Sequence, residues 1–77
     1  MSPRLPVINS RELIAVLEKA GFEIKRQTGS HVILYKVSLR RPVSVPQHSG
    51  DLPSGTVRVI IREAGLTVEE FLNLLNR

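Results

Sequence analysis

A change of hydrophobic period between Gly21 and Pro46 constrains the fold more than any other feature of this chain. Up to Ala20 the apolar residues recur at helical spacing; from Phe22 they alternate, and beyond Pro53 the helical spacing returns. Alternation places successive side chains on opposite faces of a sheet, whereas a repeat of about 3.6 lines up one stripe of a helix. Phe22 and Ile24 thus share one face, with Glu23, Lys25 and Gln27 opposite. Thr28-Gly29-Ser30 supplies a turn, and the β-branched run from His31 to Val37 reads as the second strand. Ser38 to Arg41 make a second turn. Pro42 to Pro46 form a third strand, which its prolines mark as an edge because proline donates no ladder bond. Three consecutive strands with short links make an antiparallel meander.

Helices flank this meander. Residues 1–8 form an extended lead-in, kept out of helix by Pro3 and Pro6. Asn9 with Glu12 makes a capping box ahead of the stripe Leu13, Val16, Leu17 and Ala20, and Gly21 closes that helix in a left-handed conformation. A second helix starts near Ser54, after Pro53, with Val57, Ile60, Ile61 and Ala64 as its stripe and Gly65 as its stop. Thr67 with Glu70 is another capping box, Leu66 and Phe71 occupy the staple positions, and a last helix runs through Leu72, Leu74 and Leu75. The order is α-β-β-β-α-α, an α+β fold. The helices bury their stripes on one face of the three-stranded sheet and leave the other in water.

Composition narrows the class. A chain of 77 residues has one core and is expected to be one domain, 1–77. With no Cys it has neither disulfides nor thiolate metal sites. No apolar run approaches the ~20 residues of a membrane span, and the start lacks the apolar core of a signal peptide, so a cytoplasmic protein is expected, with no membrane partner. The net charge of +4 favours an anionic partner, most simply nucleic acid. Residues 22–50 carry all of that net charge.

Within that basic span lies Gly29-Ser30-His31. From Ile24 to Gly50 there are five cations (Lys25, Arg26, Lys36, Arg40 and Arg41) and no Asp or Glu. His31 and His48 are the only histidines. RNA carries its own nucleophile, the 2′-hydroxyl; cleavage needs a base to deprotonate it and an acid to protonate the leaving 5′-oxygen. Imidazole, with an ordinary pKa of about 6.5, can do either near neutral pH. His31 is therefore the candidate for catalysis. Gly29 offers backbone freedom and a close approach for a phosphate, Ser30 a hydroxyl donor, and the five cations phosphate contacts. His48 reads equally as a loop-ordering residue or as a second catalytic or phosphate-binding group. No carboxylate cluster accompanies the histidines, so neither a metal nor another cofactor is expected. The orientation of the second strand decides what reaches solvent. Either Val32 and Leu34 pack inward and expose His31, Ile33 and Tyr35, with Tyr35 able to stack on a base, or Ile33 and Tyr35 join the core. Alternation does not choose, because this strand is apolar on both faces.

Several separated segments resemble one family. Gly21-Phe22, Arg26 to His31, Val45-Pro46-Gln47-His48, Ser54 to Ile60 and Ala64 to Leu72 are together similar to the HicA toxins, over roughly residues 9–75. That resemblance implies a fold like double-stranded-RNA-binding domains and a toxin of a bacterial toxin–antitoxin pair. It further implies an endoribonuclease, or mRNA interferase, that cleaves mRNA and stops translation until a HicB-type antitoxin covers its active site. It assigns the catalytic histidine to His31 and the Pro-x-His element to Pro46 and His48. One departure is Val32, where many relatives place a polar or aromatic residue. Two rival readings are a module that binds double-stranded RNA without cutting it, and an interaction protein whose basic face serves an acidic antitoxin.

Overall fold

Helix α1 (Ser10–Lys19) begins where both halves of the capping box close: Glu12 N–H donates to Asn9 Oδ1 at 2.9 Å and Asn9 N–H to Glu12 Oε1 at 3.0 Å. It ends on Gly21, at φ +103°. There Gly21 N–H donates to Glu18 O and Phe22 N–H to Leu17 O, both at 3.0 Å, a Schellman motif that satisfies orphan carbonyls and turns the chain into the sheet. The computed structural model describes residues 4–77; residues 1–3, including Pro3 of the expected lead-in, lie outside the described residues.

Strands β1 (Glu23–Gln27), β2 (His31–Tyr35) and β3 (Val43–Pro46) form an antiparallel sheet in the order β1-β2-β3, so the proline-bearing β3 is an edge as expected. Central β2 settles the question of facing. Val32 and Leu34 are buried under the helices, Ile33 is half-buried, and His31 and Tyr35 are exposed on the outer face. The strand stops at Tyr35 rather than Val37, which is 89% exposed.

One expectation is corrected. Gln27 lies on the same face as Ile24, not opposite it. The ladder pairs Ile24 with Leu34 but Arg26 with Ile33, so Lys25 has no partner and β1 carries a bulge. The extra residue shifts the alternation by one. Lys25 and Arg26 consequently both reach the outer face, while Gln27, opposite Val32, turns to the helix side.

Helix α2 (Ser54–Glu63) ends in a second Schellman motif at Gly65, φ +76°. Helix α3 (Val68–Leu75) starts from the Thr67–Glu70 capping box and buries Phe71 completely. The core joins Leu13, Val16 and Leu17 of α1 to Val57, Ile60 and Ile61 of α2, Phe71 of α3, and the inward valines and leucine of the sheet. Lys19 Nζ donates to the Leu74 and Arg77 carbonyls, each at 3.1 Å, fastening the end of α1 to the end of α3. Residues 8–9 and 51–52 are joined by a bridge between Asn9 and Asp51 and by Leu52 N–H donating to Ile8 O at 2.8 Å. Among the described residues, no helix is long and apolar enough to cross a membrane.

Candidate active site at the first hairpin turn

Thr28 builds the turn that presents His31. Its N–H donates to His31 O at 2.8 Å; its hydroxyl accepts from His31 N–H at 2.9 Å and donates to His31 O at 3.1 Å. Gln47 N–H donates to Ser30 O at 2.7 Å and tethers the turn to the chain leaving β3. Thr28 was not among the sequence candidates. Its signal was the Thr-Gly-Ser order, since a threonine hydroxyl closes such turns on nearby backbone. The freedom expected of Gly29 is not used. Among the described residues, positive φ is confined to Gly21 and Gly65. A Cβ on Gly29 would meet nothing within 4 Å. Neither conformation nor packing demands glycine there, which leaves an unobstructed approach from solvent as its contribution.

The His31 ring is exposed, with Nδ1 3.0 Å from Ser30 Oγ. The serine hydroxyl rotates and can donate to a bare Nδ1 or accept from a protonated one. In the first case Nε2 of the neutral ring bears the proton; in the second it has a free lone pair. Nε2 has no hydrogen-bond partner among the described residues. His31, Ser44 and Pro46 form the sheet side of a groove of about 370 Å³ whose other wall is α2, through Thr56, Val59 and Glu63. These three recur on one face of the helix, and Val59 is 51% exposed. The sequence reading missed them because only tertiary packing of α2 beside β3 brings them to His31. The one available signal was an apolar Val59 standing outside the buried stripe.

The cations divide. Lys25 and Arg26 flank Ile33, Tyr35 and Pro42 on the outer face, with Lys25 Nζ 5.5 Å from the centroid of the Tyr35 ring, a cation–π contact. Tyr35 lies four residues along β2 from His31, about 13 Å away on the same face. Arg40 and Arg41 are exposed in the connection between β2 and β3. Half-buried Lys36 instead crosses Gly21 and sets Nζ 5.7 Å from the Phe22 ring centroid, near the negative end of α1. The outer face therefore gathers Lys25, Arg26 and Tyr35 with His31, and leaves Lys36 apart.

His48 occupies a different groove. Its N–H donates to Ser10 Oγ at 3.1 Å, and that hydroxyl donates to Pro46 O at 2.7 Å. Its Nδ1 accepts from Gly50 N–H at 3.1 Å, which leaves Nε2 as the donor of the neutral imidazole. The groove beside it, about 550 Å³, runs between α1 and the 47–49 segment on the helix side of the sheet. The two histidines thus sit on opposite sides of the sheet end.

The element order, the one-sided helices and an exposed histidine on a basic sheet face define a small α+β domain built on a three-stranded antiparallel sheet. Residues 10–66 match the family described as the HicA toxin of bacterial toxin–antitoxin systems. That match spans most of the chain, from α1 to the end of α2, and includes both histidines; the chain belongs to the HicA toxin family. A search of curated proteins finds no match.

Proposed function

We propose that this toxin is a metal-independent endoribonuclease that cuts mRNA, with His31 as its catalytic residue. The carrying observation is the exposed imidazole: Ser30 engages one ring nitrogen, and the ring lines a groove at one end of the sheet, whose outer face also bears Lys25, Arg26 and Tyr35. His31 Nε2 takes the proton of a ribose 2′-hydroxyl as the 2′-oxygen attacks the adjacent phosphorus. The bond from phosphorus to the 5′-oxygen breaks, and the imidazolium returns its proton to that leaving oxygen. The products are a 2′,3′-cyclic phosphate and a 5′-hydroxyl. When Nε2 is a bare base the proton of the ring sits on Nδ1, where Ser30 Oγ accepts it. Ser30 is in this way a positioning residue that holds the reactive tautomer.

Gly29 leaves the phosphate room, and the cations of the outer face favour the charge that builds on its oxygens. Lys25 and Arg26 guide the RNA along the outer face past Tyr35, and Arg40 and Arg41 extend the basic field, while Lys36 stays with Phe22. His48, on the other side of the sheet, takes no part in proton transfer at the same phosphate. The toxin acts in the cytoplasm, and a HicB-type antitoxin silences it by covering this outer face. Induction in bacteria tests the reading. Wild type arrests growth and depletes mRNA, whereas His31→Ala does neither; equal arrest by both refutes it.

A further inference from the structure

We propose that the groove between α1 and the 47–49 segment is a nucleobase-binding subsite, occupied by a base of the RNA that continues past the His31 turn. This deepens the ribonuclease reading and rests on it. Val32 and Gln47, which line this groove, directly follow His31 and Pro46 of the catalytic groove, and Gln47 N–H is bonded to Ser30 O at 2.7 Å. The two grooves open on opposite sides of the same sheet end, and a strand leaving the reacting phosphate around that end, over Ser30 and Gln47, enters this one.

The lining favours a base over a phosphate. Its charged residues are Arg11 and Glu18, which cancel, in contrast to the Lys25–Arg26 surface, whose charged residues are both cations. Its polar groups are neutral and suited to a base edge: the Gln27 and Gln47 amides, each donor and acceptor, and the Nε2 edge of His48. Ile14, Ala15 and Ile24 supply apolar surface for the ring. The volume of about 550 Å³ lies in the range of small-ligand sites. Two features of the fold create the site: the β1 bulge, which turns Gln27 inward, and Ser10, whose hydroxyl pins the backbone at Pro46 and His48.

The test uses the full chain carrying His31→Ala, so that binding is read without cleavage, titrated with short RNAs of each single base. The expected result is a preference for one base that falls about tenfold on adding Gln27→Ala and Gln47→Ala together, the discrimination that one bidentate amide–base pair provides. His48→Asn, whose side-chain oxygen replaces Nδ1 as acceptor for Gly50, removes the Nε2 donor and is expected to weaken the same base selectively. Equal binding of all bases, or a loss uniform across bases, overturns the subsite. So does unchanged RNA binding accompanied by lost antitoxin binding, which makes the groove a protein interface. Because the readout needs no cleavage, failure of the catalytic reading appears separately, as inactivity of wild type.

Discussion

Replacing Ser10 by Ala removes one buried oxygen that holds two parts of the fold together. Ser10 is 7% exposed; its hydroxyl accepts from His48 N–H at 3.1 Å and donates to Pro46 O at 2.7 Å. The substitution keeps α1, since Ala is a better helix former than Ser, but strands a backbone donor and a backbone acceptor between α1 and the end of β3. At about 1 kcal/mol for each lost bond the change costs about 2 kcal/mol, and more if water cannot reach the stranded groups. For 77 residues an unfolding entropy of about 2.1 cal/mol/K per residue gives about 0.16 kcal/mol/K, so Tm falls by about 12 °C. Thermal unfolding followed by far-ultraviolet circular dichroism measures this directly. A fall of less than about 3 °C shows that water or a local shift satisfies both groups, and refutes the view that Ser10 anchors the His48 segment.

Gly29→Ala leaves stability within about 1 kcal/mol of wild type, because its φ is not positive and its Cβ meets open space; an activity loss without a shift in Tm identifies the approach of the phosphate as its role. Gly21→Ala, by contrast, places a side chain at φ +103° with Lys36 Cε only 3.3 Å from the new Cβ. It costs about 1–3 kcal/mol in urea unfolding. Phe71→Ala, at 0% exposure, costs about 3–5 kcal/mol although α3 lies outside the family match; urea titration checks it. Arg26→Ala in a His31→Ala background lowers the salt dependence of single-stranded RNA binding by about 0.7 in log–log slope; an unchanged slope removes Arg26 from the phosphate contacts.

What was legible in the sequence was what neighbouring residues decide among themselves. Asn9 with Glu12, and Thr67 with Glu70, close their capping boxes within one helical turn, and Gly21 and Gly65 take the left-handed conformation that ends a helix. The prolines of β3 marked an edge strand for an equally local reason. The facing of β2 was not legible, because Val32, Ile33 and Leu34 are apolar on both sides and only packing under α1 and α2 selects Val32 and Leu34. Gln27 was misplaced since no glycine announces the bulge at Lys25. Gly29 was expected to use a special backbone conformation that a threonine-closed turn does not require. The candidate site was half visible: Gly29, Ser30 and His31 are contiguous, whereas Thr56, Val59 and Glu63 line the groove at His31 only through the docking of a helix 25 or more residues away in the chain. The separation of His48 from His31 was likewise invisible, as the alternation of β3 does not reveal which side the chain takes after Pro46.

The most direct test of the central claim is the chemistry of the RNA ends left by purified protein, with wild type and His31→Ala compared in the presence of EDTA. The account predicts 2′,3′-cyclic phosphate and 5′-hydroxyl ends from wild type, undiminished by the chelator. It predicts a rate at least about 100-fold lower for a folded His31→Ala protein. Ends bearing 5′-phosphate and 3′-hydroxyl, activity abolished by EDTA, or His31→Ala cutting as fast as wild type would each contradict it.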